Sequence, residues 1–165
     1  MRKVSRYARL RGMRPAPDPM AAFKLIGAVG ARQSKAPLDR SQLMQLAIGY
    51  HGALAQIVAG KGTFDDANTL AAAANLTILL CESGLGHDEI ATSLAGRDAA
   101  VSCQARHKRT GVWGLAGLEL GALNAMLMLH DAQMEGEDCT EGLMMAALTE
   151  CADRIRKGQV VGVEA

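Results

Sequence analysis

His51, His130 and Asp131 are the side chains of this chain best suited to chemistry. Two imidazoles and a carboxylate can hold a divalent metal, or pass protons as acid and base near neutral pH. His51 stands one turn from Ala47 and Leu54, at the edge of an apolar stripe. His130 falls on a second stripe, with Asp131 beside it and Glu135 little more than a turn on. If the helices bearing them pack together, the two rings approach each other. The phrase His-Asp-Ala-Gln-Met-Glu matches neither H-E-x-x-H nor E-x-x-H, so the helical metal templates are not met. The plainer account makes both histidines core-edge residues, bonded to carbonyls or to Asp131.

A second constellation runs from Asp88 to Arg109. Ala91, Gly96 and Val101 sit roughly where a helix-turn-helix places a small residue, a turn glycine and an inner apolar residue, and Arg106, Lys108 and Arg109 follow as phosphate contacts. The glycine falls one place late, Gln104 takes an apolar position, and Asp88, Glu89 and Asp98 would face a polyanion. The alternative is one continuous helix that tolerates its glycine at a cost of about 1 kcal/mol.

Cys103 and His107 lie one turn apart, as metal ligands can, with no second pair beside them. Cys81, Cys103, Cys139 and Cys151 form neither zinc-ribbon spacing nor a disulfide framework, which fits a reducing compartment. The glycines match no phosphate loop. Met126, Met128, Met134, Met144 and Met145 read as core filler. No catalytic residue and no cofactor is assigned, and the balance is against an enzyme.

These residues need helices to position them. Aromatics are 3% of the chain, and Ala, Leu, Met and Gly supply its apolar surface, as in helices packed closely through small side chains. The pattern predicts a short helix over Met20–Val29, then a helix begun by Asp39 or Ser41 and ended near Ala59. Its inner stripe is Leu43, Leu46, Ala47, Tyr50, Leu54, Ile57 and Val58. Thr63 and Asp66 resemble a capping box at the head of a helix over 65–81. That stretch is apolar nearly all round, so other helices must cover it. Its apolar run reaches only about 22 Å, too short for a bilayer core of about 30 Å.

Further helices are expected over about 87–108, 115–134 and 140–157. Leu120, Leu123, Leu127, His130 and Met134 form the inner stripe of the 115–134 helix, with a second row at Leu118, Ala122, Ala125 and Leu129. Thr140 caps the last helix, which points Leu143, Met144, Ala147, Leu148, Cys151 and Ile155 inward. The fold expected is all-α: an antiparallel bundle of four long helices plus a short N-terminal helix, with a basic extended N-terminal arm. The arm is 1–19, the bundle 20–158 and the C-terminal tail 159–165.

Charge is divided unevenly along this plan. Arg2, Lys3, Arg6, Arg9, Arg11 and Arg14 crowd the arm without an acid before Asp18, and all 17 acidic residues come later. A basic arm on a mildly acidic body suits nucleic acid or an acidic partner, or is simply solvated. No segment reads as a signal peptide or membrane span, which predicts a cytoplasmic protein.

Several phrases, taken in order, carry a resemblance. They are Asp18-Pro19-Met20 after the arm, Tyr50-His51-Gly52-Ala53-Leu54, Ala74-Asn75-Leu76-Thr77, Leu129 to Glu135, and Ile155-Arg156-Lys157-Gly158. Together they resemble a loose group of small uncharacterised all-helical proteins encoded by phages, prophages and mobile elements of proteobacteria. The resemblance implies a bacterial cytoplasm and an accessory role, and supplies no mechanism. The function expected is therefore a non-enzymatic interaction or regulatory protein that binds a protein partner. The alternatives are a nucleic-acid-binding protein using the arm and 88–109, and a His/Asp metal or acid–base site. Homo-oligomers are compatible with the Ala- and Gly-rich helices.

Overall fold

A computed structural model describes residues 34–159, and in them the chain is all-helical. The helices are α1 (Arg40–Val58), α2 (Phe64–Glu82), α3 (Ile90–Thr110), α4 (Gly117–Glu135) and α5 (Glu141–Arg156), with one 3-10 turn at His87–Glu89. These are the five long helices expected element by element, one more than the four of the bundle expected as a whole. Thr140 caps the last as expected, its side chain accepting from the Leu143 amide at 3.2 Å. The basic arm, the short helix at Met20–Val29 and residues 160–165 of the tail lie outside the described residues.

α2 is the centre. It packs against each of the other four helices, and it buries twelve residues, from Ala67 to Cys81. Its start is fixed locally. Thr63 Oγ1 accepts from the Asp66 amide while Asp66 accepts from the Thr63 amide at 2.8 Å, satisfying two of the donors a helix start leaves open. No helix among the described residues is long and apolar enough to cross a membrane. Around α2 the core forms two clusters. One holds Leu54, Ile57, Leu70, Trp113, Leu123, Met126 and Leu127. The other holds Leu38, Leu79, Leu80, Met134, Met144 and Leu148.

The chain enters this bundle tethered to α5. The Ala36 and Ser34 carbonyls accept from the Glu141 and Gly142 amides, at 2.9 and 3.1 Å. Two first-turn donors of α5 are thus satisfied by the segment ahead of α1.

α3 is one uninterrupted helix through Ala95 to Asp98, so 88–109 contains no helix-turn-helix. Gly96 serves packing. A Cβ there would stand 2.4 Å from Met126 Cβ, so its absence lets α3 and α4 approach closely. Four stripe residues turn outward. Leu118 is 92% exposed, Val58 56% and Ile155 50%, and Ala125 is exposed too, while Met126, absent from both expected rows of α4, is fully buried.

Candidate functional site

α1 and α4 meet at a seam filled by polar side chains. The Tyr50 hydroxyl donates to Asp131 Oδ1. His51 Nε2 lies 2.9 Å from Asp131 Oδ2. Asp131 thus takes one group on each oxygen. The Tyr50 ring touches both imidazoles, with centroids 5.0 Å from His51 and 5.3 Å from His130. The three residues singled out from the sequence therefore share one neighbourhood, organised by Tyr50. Sequence reading placed Tyr50 on the buried stripe and missed its hydroxyl. The visible signal was a phenol one residue before His51, since a buried phenol needs an acceptor.

The two histidines have different environments. His51 is exposed, on the outer side of α1. His130 is 2% exposed, and its Nδ1 has no partner in hydrogen-bonding geometry. Burial lowers the His130 pKa to about 4, against the opposing pull of Asp131 and the Gln133 carboxamide. His130 is therefore a neutral core ring at physiological pH. Tyr50 is pushed far above its ordinary range, first by burial and then by its bond to Asp131 and the charges of Asp131 and Glu135. It remains a donor and is no nucleophile. Among the described residues no group of three or more His, Cys, Asp or Glu side chains is placed to hold a metal ion. The expected His51, His130 and Asp131 metal set becomes an exposed His–Asp pair braced by a phenol, with a buried imidazole behind it.

Beside the seam a cleft of ≈ 500 Å³ opens between the first half of α1 and the end of α4. Leu43, Met44, Ala47, Tyr50 and Met134 give it an apolar lining, and Arg40, Asp131 and Glu135 bring charge to it. It lies beside the Tyr50–Asp131 and His51–Asp131 contacts that join α1 to α4. Below it Gln133 ties α4 to the end of α2, its Nε2 donating to the Leu85 carbonyl at 2.8 Å and the Thr77 carbonyl at 3.2 Å.

The other candidate residues are engaged differently from expectation. Arg106 forms a bidentate pair with Glu119, at 2.7 and 2.9 Å, and donates to the Gly114 carbonyl at 2.6 Å. That pair raises the Arg106 pKa and lowers that of Glu119. Glu119 also accepts from the Ala116 amide at 2.6 Å, so Arg106 braces the α3–α4 turn and is committed away from a phosphate. Arg109 is exposed at the end of α3, and Lys108 is exposed beside it. Arg2, Lys3, Arg6, Arg9, Arg11 and Arg14 lie outside the described residues. Cys103 and His107 do not pair as ligands. Cys103 is buried, which raises its thiol pKa. The His107 ring stacks on Trp113, with centroids 3.9 Å apart and planes 3° from parallel.

No protein-family model, no curated protein and no solved structure matches this chain.

Proposed function

We propose that the protein is a non-enzymatic interaction or regulatory accessory protein of a phage or mobile element, acting in the bacterial cytoplasm by binding a protein partner. The observation that carries this reading is the cleft between α1 and α4. An apolar lining with Arg40, Asp131 and Glu135 beside it suits a partner segment that offers an apolar side chain among charged ones. Burial of the apolar anchor supplies affinity, and the carboxylates supply orientation. No cofactor enters this reading. We take residues 1–19 as a basic extended arm and Met20–Val29 as a short helix joined to the long ones, so that the arm gives a second attachment to the same partner.

The test is to fill the cleft from a residue at the edge of the core. Ala47 is only partly buried and lines the cleft, so Ala47→Trp occupies the partner's space. A pull-down with the variant is expected to lose proteins that the native chain recovers, with helical circular dichroism unchanged. Recovery of the same proteins at the same yield would refute the cleft. Identical recovery with and without residues 1–16 would refute the arm's share.

The nucleic-acid reading keeps the arm, Lys108 and Arg109, and loses Arg106 and the helix-turn-helix. It predicts duplex or single-strand binding whose affinity falls steeply between about 50 and 200 mM salt. Such binding, found in a chain whose Ala47→Trp variant still recovers every protein, would replace the partner reading.

A further inference from the structure

The cleft between α1 and α4 leaves apolar surface uncovered. Met44 is 58% exposed there, and Leu43 and Ala47 are only partly buried. Asp131 and Glu135 stand one turn apart on α4 at its edge. Asp131 already receives Tyr50 and His51. Glu135 is exposed and has no ion-pair partner among the described residues. Two carboxylates against the single guanidinium of Arg40 leave the rim negative. An occupant must therefore bring an apolar side chain with a cation beside it.

The chain itself supplies such a segment. Ahead of the described residues it reads Met20-Ala21-Ala22-Phe23-Lys24-Leu25-Ile26, with Lys24 directly after a phenyl ring. Two observations select this segment as the occupant. The first is charge. Of the chain's 18 basic and 17 acidic residues, residues 1–33 hold eight and one, a net of +7, while residues 34–165 hold ten and sixteen, a net of −6. The second is reach. The segment joins the described chain at Ser34, which is tied to the start of α5 and stands just ahead of α1. Phe23 lies eleven residues before Ser34, and such a length spans up to about 36 Å. The cleft runs from Arg40 to Tyr50, about 15 Å of α1. Phe23 can therefore reach any part of it. A tether that short holds the segment at an effective concentration on the order of millimolar, which no free partner matches.

We propose that residues 20–26 dock in the chain's own cleft, Phe23 against Met44 and Met134 and Lys24 against Glu135, and that a protein partner must displace them. The docked segment is a built-in competitor. It lowers partner affinity in proportion to the fraction of chains whose cleft is open. Displacement also frees the basic residues ahead of the segment for the same partner. The competition rests on the cleft being the partner site, as read above, whereas the docking stands without it.

Met44→Cys in the full-length chain reads the occupancy. The four native cysteines are buried, so alkylation by iodoacetamide, an uncharged reagent, reports on position 44. Adding Phe23→Ser and Ile26→Ser is expected to raise the rate about tenfold or more, as for a cleft open at most about 10% of the time, with the helical signal unchanged. If the serines disturb folding, Lys24→Glu gives a second reading, with a rise of about threefold, the scale of one exposed ion pair. Equal rates with and without the segment changes overturn the proposal. Protection that grows with protein concentration overturns it too, by placing a second copy in the cleft. Pull-downs separate the docking from the partner reading. Where both hold, Phe23→Ser, Ile26→Ser recovers several-fold more of the proteins that Ala47→Trp loses. Segment-dependent protection, with a pull-down that Ala47→Trp leaves unchanged, supports the docking and overturns the competition. Proteins lost on Ala47→Trp, without segment-dependent protection, keep the partner reading and overturn the docking.

Discussion

Besides its contact with α2, α4 packs against α3 and α1, and it meets these two in opposite ways. Against α3 the contact is made by removing a side chain, since Gly96 lets Met126 lie directly on the α3 backbone. Against α1 the contact is made by adding polar side chains, since Tyr50 and His51 reach Asp131 and leave the cleft beside them. The first seam is closely packed at Gly96. The second has the cleft beside it and carries the polar groups. Close packing between helices holds the scaffold, and the looser seam is where surface chemistry becomes available.

Substitutions at the two seams can break this contrast. The largest effect is expected at Gly96. Gly96→Val is expected to destabilise the fold by about 3 kcal/mol or more, because the new atoms would overlap Met126 on a close-packed helix pair. Urea denaturation checks it, and a loss under about 1 kcal/mol would mean that α3 and α4 are free to slide apart.

Next comes the pH profile set by His130. Its folded pKa of about 4 lies below the ordinary 6.5. Between these values the unfolded chain takes up a proton that the folded chain does not. Stability therefore falls as pH drops from 6.5 to 4, by about 3 kcal/mol in all, and this contribution is constant outside that window. His130→Leu is expected to remove that share of the acid loss. Parallel stability profiles for the native chain and the variant would show that the ring is wet.

Tyr50→Phe is a smaller change. It removes the donor to Asp131 while keeping the ring, and a loss of about 1–2 kcal/mol is expected. The His51 imidazole resonance should also shift, since its Asp131 partner loses a brace; an unmoved resonance would uncouple the two contacts.

The smallest effect has the opposite sign. Gly49 is exposed on α1, and an added Cβ there meets nothing within 4 Å. Gly49→Ala is expected to stabilise by up to about 1 kcal/mol through helix propensity alone. Set beside Gly96→Val, it separates a glycine kept for packing from one the fold does not need. A destabilised Gly49→Ala chain would blur that distinction.

The sequence was informative wherever the cause was local. The capping box at Thr63 and Asp66, the Thr140 cap and the buried run of α2 follow from residues within one turn of each other, and each is found where expected. Features spanning helices were less legible. Gly96 could be read as a helix-turn-helix turn or as a glycine that a continuous helix tolerates, because its reason, Met126, lies 30 positions away. Leu118 and Met126 are both apolar on α4, and only the placement of α3 decides which one is buried. Arg106 looked like a phosphate contact because Glu119 stands beyond an intervening turn. At the candidate site, the stripes brought His51, His130 and Asp131 together, but composition could not assign one imidazole to water and the other to the core.

The His107–Trp113 stack has a practical consequence. Trp113 is the chain's single tryptophan, and it sits in the first core cluster. Its emission therefore reports from one place, where the end of α3 passes into the turn before α4. A parallel imidazole at 3.9 Å alters indole emission, and any opening of that corner separates the rings. The protein thus carries a built-in optical gauge of the joint between its two most tightly packed helices, readable without a label.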